Sequence, residues 1–414
     1  MTNTDAEHAS AVATHIAERL ASPEQARYWA AVNWWPQSLA HGALGVALLH
    51  IERARTGEGP WERAQAWLEC AVAEGVDASP AAHLYYGAPA LAFVLNRAHQ
   101  VRPSSGTDRE QIQTAVVRIV RERVEEAERS RTARGLPVLA EFDTIRGLSG
   151  LGALLLDDNG PIPLVERVLS YLVSVTEPAD VDGVPVPGWW VPVGPAGTED
   201  PAFAGGHANT GIAHGICGPL LLLSRALYRG IEVPGQVEAI DRILAWLDRW
   251  EQTGTEGTWW PYWVTLDHLR GEPLRGPQRP SWCYGAAGVA YAQSVAASAL
   301  GDEARSRAAN RVLTRVLTRL PQDQAIVDHS LCHGQAGLAV LARANAHPAP
   351  PPLLPDLAQL APDVAAEKLL AASGIGLLEG AAGTGLALHT LSHRSPMGWA
   401  GFLLLEDKEH DRAA

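Results

Sequence analysis

A glycine turn that recurs seven times along the chain constrains its fold more than any other feature of the sequence. Six copies read Gly-x-x-Gly, and the second copy has Ala90 in place of its second glycine. The first glycines are Gly42, Gly87, Gly147, Gly215, Gly285, Gly334 and Gly380. Successive copies are 45 to 70 residues apart, a spacing typical of helical repeats rather than short solenoids. The repeats predict that the chain folds as one closed unit.

Each turn is followed by a short apolar segment, and longer amphipathic segments lie between the turns. The apolar segments are residues 46–51, 91–95, 151–156, 220–223, 289–292, 338–341 and 386–391. The amphipathic segments are residues 5–20, 60–73, 107–128, 161–175, 237–250, 303–320 and 362–372. Helices with so little polar surface are buried on most sides, whereas one apolar stripe is typical of an outer helix. The sequence therefore predicts seven inner and seven outer helices.

Alternating buried and half-buried helices close most simply as an all-α fold, an α/α toroid. We therefore predict a single domain over residues 1–414. Irregular loops at about 178–209 and 254–280 lead directly into turns with candidate ligands, and we expect them on the active-site rim. The aromatic residues of segment 259–263 either contact a peptide or pack within the fold.

Composition limits the classes of partner and the cell compartment. The net charge of −13, with no evident cluster of Lys and Arg, disfavours nucleic acid or an anionic membrane. No apolar run reaches the roughly 18 residues of a membrane span, and the first residues lack a signal-peptide pattern. The four cysteines of this chain do not form a disulfide framework. We therefore expect a cytoplasmic protein whose thiols serve a metal or catalysis.

Two of the cysteines occupy the same position in different repeats. Cys283 and Cys332 each lie two residues before the first glycine of a turn, and His333 follows Cys332. Equivalent positions of a repeat tend to converge in space. Two thiolates and one imidazole supply three ligands to Zn²⁺ and leave a fourth position for water or substrate, as in catalytic sites. The alternative is that the cysteines are small core residues and His333 caps the turn. Cys217, inside its own turn, is interpreted as a packing residue.

A histidine and an aspartate near two other turns are candidates for acid–base chemistry. His214 precedes Gly215 directly, and Asp143 lies four residues before Gly147. A carboxylate can fix the tautomer of a histidine that exchanges protons near neutral pH. The alternatives are a structural loop histidine and an aspartate that caps backbone N–H groups. His41 has the same offset as His214 and is interpreted as structural.

These motifs resemble the lanthionine synthetase C-like (LanC) family. The resemblance rests on His214 before Gly215, on Cys283, Tyr284 and Gly285, and on Cys332, His333 and Gly334, and it spans essentially the whole chain. It implies a double-layered α/α toroid with Zn²⁺ bound by Cys283, Cys332 and His333. By the same resemblance, His214 and Asp143 match the family's acid–base pair, and Arg279 matches its active-site arginine.

The family closes thioether rings, so the resemblance implies a zinc-dependent lanthipeptide cyclase. Its substrate would be a dehydrated precursor peptide, with leader and core, in lantibiotic biosynthesis. Peptide cysteine thiolates would add to dehydroalanine or dehydrobutyrine to form (methyl)lanthionine. A stand-alone cyclase is expected, with a separate dehydratase and an export transporter as partners. The alternatives are a diverged homologue that adds glutathione or another thiol, a zinc prenyltransferase-like thiol alkylation, and a non-catalytic peptide-binding scaffold.

Overall fold

Helices dominate the computed structural model, which describes residues 3–29, 34–103, 107–255, 257–319, 326, 328–347 and 356–406. The α-helices are α1 (Asn3–Arg19), α2 (Pro23–Ala26), α3 (Ala43–Arg55), α4 (Trp61–Val72), α5 (Ala88–Val101), α6 (Thr107–Arg134), α7 (Leu139–Phe142), α8 (Leu148–Asp157), α9 (Ile162–Ser174), α10 (Cys217–Tyr228), α11 (Gln236–Trp250), α12 (Leu266–Leu269), α13 (Ala286–Leu300), α14 (Glu303–Arg319), α15 (Gln335–Ala344), α16 (Pro362–Ser373) and α17 (Ala381–His393). The strands are β1 (Ala179–Val181), β2 (Val184–Val186), β3 (His207–Asn209), β4 (Gln252–Gly254), β5 (Gly257–Trp259) and β6 (Trp263–Thr265).

The glycine turns begin the apolar helices α3, α5, α8, α10, α13, α15 and α17. The second glycine of the turn lies in the first helical turn, where another chain segment approaches it closely. A Cβ at Gly337 or Gly383 would collide with the carbonyl oxygen six residues upstream. Gly285, the first glycine of its turn, also has a φ of 89°, which residues other than glycine rarely adopt. The motif therefore folds the preceding loop back onto the start of its helix.

The predicted amphipathic segments coincide with α1, α4, α6, α9, α11, α14 and α16. In α11, Ile240, Ile243 and Leu247 are buried, as their spacing predicts. Helix α6 continues to Arg134, beyond the predicted end at residue 128. Its added residues are mainly arginine and alanine, which favour helix, and Gly135 follows with a φ of 76°, the conformation that ends many helices.

The described residues divide into two compact units, the first formed by Met1–Val116 with Leu317–Ala414. In this unit α1 packs against α16 and α17, and α3 packs against α4, α5 and α17. His50 Nε2 and Trp67 Nε1 both hydrogen-bond to the Leu20 carbonyl oxygen, at 2.7 and 2.8 Å. The Tyr85 hydroxyl donates to the Phe402 carbonyl oxygen at 2.7 Å. Buried polar groups thus join elements that are distant in sequence.

The second unit is Val117–Val316, in which α10 packs against α8, α9, α11 and α13. Most of the strands fall in the two loops that were predicted to be irregular. They form three antiparallel pairs, β1 with β2, β3 with β6, and β4 with β5. The β3–β6 pair joins residues of both loops, with His207 opposite Thr265.

The helical fold class is confirmed, whereas closure into a toroid and a single domain over residues 1–414 stay predictions. The predicted domain includes segments outside the described residues. The position of the loops on a rim also stays a prediction. Within the described residues, no helix is both long enough and apolar enough to cross a membrane.

Three buried histidines have pKa values below the ordinary one, because burial disfavours the charged form. Burial lowers the pKa of His50 and of His207 to about 4. Burial, with His393 and nearby arginines, lowers the pKa of His389 to about 3. Each value lies below the ordinary histidine pKa of 6.5, so the unfolded chain binds protons that the native state does not.

We expect the free energy of unfolding to fall as the pH drops from about 6.5 toward 4. Each histidine contributes a slope of up to about 1.4 kcal/mol per pH unit, because protonation favours the unfolded chain. Urea unfolding at several pH values measures this loss. His50→Gln, which keeps a donor for its buried acceptor, should have a shallower slope. His15→Gln, at a side chain that is 42% exposed, should match the parent protein. A constant free energy over this pH range would contradict the expectation.

Candidate functional site

Backbone hydrogen bonds tie together three of the loops that carry candidate residues. The Thr144 N–H donates to the Ala213 carbonyl oxygen at 3.1 Å, and the Ile212 N–H donates to the Cys283 carbonyl oxygen at 3.0 Å. The Thr144 hydroxyl also donates to the Ile212 carbonyl oxygen at 2.6 Å. The loops of Asp143, His214 and Cys283 therefore pack side by side, as equivalent parts of neighbouring repeats.

Asp143 holds the imidazole of His214 and also accepts two backbone N–H groups of the turn before α8. Asp143 Oδ2 lies 2.6 Å from His214 Nδ1, and Oδ1 accepts the N–H groups of Arg146 and Gly147 at 2.7 Å. Asp143 is 1% exposed and His214 is 39% exposed. A carboxylate accepts a hydrogen bond, so Nδ1 carries the hydrogen and Nε2 is the nitrogen left for another partner. The sequence predicted that Asp143 either fixes the tautomer of His214 or caps backbone N–H groups, and this geometry is compatible with both roles.

Arg279 has a cationic side chain, and a hydrogen bond from an aromatic residue fixes its backbone. Its carbonyl oxygen accepts the Tyr262 hydroxyl at 2.6 Å. Among the described residues, Arg279 Nε is buried without a hydrogen-bond partner. Buried polar groups rarely lack a hydrogen-bond partner. An oxygen of a bound ligand would accept a hydrogen bond from Arg279 Nε.

Cys283, Cys332 and His333 form a group of potential metal ligands, the Cys₂His group. One ligand atom from each residue lies within 4.8 Å of the other two. Sulfur ligands at about 2.3 Å from a tetrahedral Zn²⁺ are about 3.8 Å apart, a separation that falls within this limit. Cys283 is buried, and Cys332 is half-buried. The residues fit a zinc ion in donor chemistry and in spacing.

Asp328 orients the imidazole of His333, and the sequence analysis did not identify it. Its Oδ2 lies 3.2 Å from His333 Nε2, and its Oδ1 accepts the Ser330 N–H at 2.8 Å. Burial alone would raise the pKa of Asp328, but hydrogen bonds from His333 and Ser330 hold it well below its ordinary value. With Nε2 bonded to Asp328, His333 Nδ1 is the nitrogen that would face a metal.

Replacing Asp328 with asparagine is expected to weaken zinc binding about 10- to 100-fold, the usual cost of changing a group that orients a metal ligand. Competition with a chromogenic chelator measures this affinity. Asp356→Asn is the matched control, because Asp356 also contacts a histidine, His329, at 3.0 Å but not a proposed ligand. Equal affinities for the two variants would contradict the role of Asp328.

Aromatic side chains surround the residue that follows Cys283. Asn209 donates to the Tyr284 hydroxyl at 2.9 Å, and the Tyr284 ring lies 4.9 Å from Tyr262 and 6.0 Å from Trp263 between centroids. Trp260 is 2% exposed and its indole N–H donates to a carbonyl oxygen of α11, so this member of segment 259–263 packs within the fold. Tyr262 and Trp263 are half-buried and accessible to a ligand.

The family model for lanthionine synthetase C-like proteins matches residues 33–347. The chain belongs to the lanthionine synthetase C-like family. The matched residues include Asp328 and all six predicted site residues. The resemblance found in the sequence motifs is therefore confirmed, while the metal and acid–base roles of the residues stay predictions.

Two relatives of this lanthionine synthetase C-like chain concern nisin. Nisin biosynthesis protein NisC of Lactococcus lactis subsp. lactis is 24% identical over 203 residues, which cover 48% of this chain and 47% of that protein. The alignment thus spans about half the length of this curated relative. The solved structure of nisin cyclase matches with a TM-score of 0.73 at 19% identity, over 90% of this chain and 92% of that chain. This likeness shows that the two chains share a fold.

Proposed function

We propose that this chain is a zinc-dependent lanthipeptide cyclase. The reaction would join a peptide cysteine to dehydroalanine or dehydrobutyrine in a dehydrated precursor peptide and form a (methyl)lanthionine ring. The observation that carries the proposal is the Cys₂His group, because two thiolates and an imidazole suit a zinc ion with one open position. Membership of the lanthionine synthetase C-like family supports the same chemistry.

Cys283, Cys332 and His333 would hold the zinc ion. When bound, zinc would lower the pKa of a peptide cysteine thiol from its ordinary value near ~8.5 and hold its sulfur as a thiolate. Asp328 keeps the His333 ring in the orientation that suits a ligand. The buried side chain of Cys283 limits access of water to this part of the group.

His214 would supply the proton that completes the addition. The new bond joins sulfur to the β-carbon, the carbon–carbon double bond breaks, and the α-carbon gains a proton. The thiol loses one proton in the same reaction, so the product and the substrate have equal mass. His214, exposed enough to reach the peptide and held by Asp143, is suited to deliver this proton.

Arg279 would stabilise negative charge on the peptide. As sulfur adds to the β-carbon, charge develops on the neighbouring carbonyl oxygen, and a fixed cationic donor lowers the energy of that state. The unsatisfied, buried Nε of Arg279 supports this role.

The wider assignments also belong to this proposal. We place the reaction in the cytoplasm, with a separate dehydratase before it and an export transporter after it. We propose one domain of seven inner and seven outer helices in a toroid, with the loops at about 178–209 and 254–280 on its rim. The regular order of the repeats supports this arrangement.

The proposal is tested with a peptide that contains one dehydroalanine and one cysteine. After incubation with the protein, the peptide is treated with a thiol-alkylating reagent and analysed by mass spectrometry. Ring closure leaves the mass unchanged and removes the reactive thiol. A peptide with alanine in place of dehydroalanine is the control and should be alkylated fully. Full alkylation of the first peptide, or addition only of free glutathione, would contradict a cyclase.

A further inference from the structure

A groove in the second unit is lined by arginines and lies apart from the residues assigned above. It runs between α14 and the β4–β5 hairpin, and its cavity has a volume of about 780 Å³. Arg307, Arg311 and Arg315 of α14 line one side, and Thr253 and Thr258 of the hairpin line the other. We call this cavity the arginine groove.

The arginines of the groove project from one face of α14. Their spacing of four residues places side chains on the same side of a helix. Helix α14 contains five arginines and a single acidic residue, Glu303, in a chain whose net charge is −13. The groove is therefore a local positive surface on an acidic protein, and among the described residues that line it Glu251 is the one carboxylate.

Among the described residues, Arg307 and Arg311 are not neutralised by strong ion pairs. Arg307 contacts Glu303 at 3.0 Å, but both side chains are more than half exposed, and such pairs are weak. Arg311 is exposed, and it has no hydrogen-bond or ion-pair partner among the described residues. Arg315 donates to the Thr255 carbonyl oxygen at 3.0 Å and keeps its charge. Two of the three guanidinium groups are thus available to a ligand.

The floor and one wall of the groove are held in place by hydrogen bonds and close packing. Trp260 is buried and donates to the Leu247 carbonyl oxygen at 2.8 Å. Gln293 is buried and accepts a hydrogen bond from Arg305 at 2.8 Å. A Cβ at Gly257, whose φ is 120°, would lie 2.8 Å from the Arg315 side chain, so the hairpin packs closely on α14 there. A ligand would enter a largely preformed surface.

We propose that the arginine groove binds an acidic, extended segment of the precursor peptide, an inference that rests on the proposed function. Arginine binds carboxylates through paired, charge-assisted hydrogen bonds. Four residues of a helix rise about 6 Å, and two residues of an extended peptide span about 6.6 Å. Acidic residues at alternate positions of an extended peptide therefore match successive arginines of α14.

The place of the groove suits a segment outside the ring-forming part of the peptide. Gln293, on the groove floor, is seven residues into α13, which begins three residues after Cys283. These seven residues correspond to about 10 Å along the helix. A docked segment would thus be separated from a reacting cysteine by at least about three extended residues. Such docking raises the effective concentration of the peptide at the site.

The test uses fluorescein-labelled peptides without cysteine, and fluorescence anisotropy measures their binding to the full chain. A peptide of alternating glutamate and serine should bind about tenfold or more tightly than its glutamine–serine analogue, and salt should weaken it. It should also bind more tightly than a peptide with the same residues in two blocks. Equal binding of the acidic and neutral peptides, or of the alternating and block peptides, would overturn the inference.

Charge reversal locates the binding site. Arg307→Glu with Arg311→Glu should remove most of the affinity, whereas Arg121→Glu with Arg129→Glu, exposed positions of α6, should retain it. Equal loss in both double variants would overturn the assignment to the groove. Tighter binding of an oligonucleotide of equal charge would overturn a peptide as the occupant.

Ring closure separates this inference from the proposed function. The groove variant should close the ring of a short peptide without an acidic segment as fast as the parent protein does. An added acidic segment should lower KM for the parent protein alone. If the parent protein binds the acidic peptide and closes no ring, the cyclase proposal fails and the groove assignment stands. If it closes rings with no effect of the acidic segment on KM, the groove assignment fails.

Discussion

Replacing Cys283 or Cys332 with alanine is expected to remove zinc from the protein and to abolish ring closure. Each change deletes one of three proposed ligands, and two ligands hold zinc far less tightly than three. The loss of affinity should exceed the about 10- to 100-fold caused by changing a group that only orients a ligand. Metal analysis of the purified protein should fall from about one zinc per chain to almost none, and the alkylation assay should show an unreacted peptide thiol.

The other two cysteines supply matched controls for these variants. Cys217 is buried in α10, and burial raises the pKa of its thiol, so it should stay protonated and bind no metal. Cys70 is half-buried on α4. Cys217→Ala and Cys70→Ala should keep both zinc and ring closure. A Cys283→Ala protein with one zinc and normal ring closure would show that the Cys₂His group is not the metal site.

The helices could be predicted because a packing contact at the start of the helix requires the glycine turn, which is visible in the sequence. The second glycine is required where a carbonyl oxygen six residues upstream lies against the helix, as Leu331 does at Gly337. The same contact occurs at Gly45, Gly288 and Gly383, so the motif recurs with it. Ala90 shows the tolerance of the motif, since its methyl group is buried in α5.

The metal ligands were predictable for the same reason, since Cys283 and Cys332 occupy equivalent positions in two repeats. Asp328 was not, because it lies six residues before its glycine and Asp143 lies four residues before its own. The loop conformation, and not the offset, brings each carboxylate to its histidine. The only signal in the sequence for such a carboxylate was an acidic residue a few positions before a turn.

The arginine groove shows a second limit of sequence reasoning. The sequence analysis found no cluster of basic residues, because Arg307, Arg311 and Arg315 are separated by apolar and polar residues. They become neighbours only on a helix. The wall that faces them is the β4–β5 hairpin, and strand β5 of that hairpin lies in a segment that was predicted to be irregular.

Replacing His214 with asparagine is expected to slow ring closure about 10²- to 10⁴-fold, the usual contribution of a positioned acid or base, with zinc retained. The variant removes the proton donor and leaves Cys283, Cys332 and His333 unchanged. Asp143→Asn should have a related effect, because asparagine can still accept the Arg146 and Gly147 N–H groups but has no charge beside the imidazole. Rates of thiol loss under single-turnover conditions, measured beside metal content, test both variants.

The two residues act as a unit if Asp143 works through His214, so the double variant should be no slower than His214→Asn alone. His41→Asn is the matched control, since His41 precedes its glycine at the same offset and is interpreted as structural; its ring-closure rate should equal that of the parent protein. Additive losses in the double variant would show that Asp143 acts independently, through its bonds to the N–H groups of Arg146 and Gly147. An unchanged rate in His214→Asn would remove histidine from the proton transfer and leave the charge of Arg279 as the remaining aid to addition.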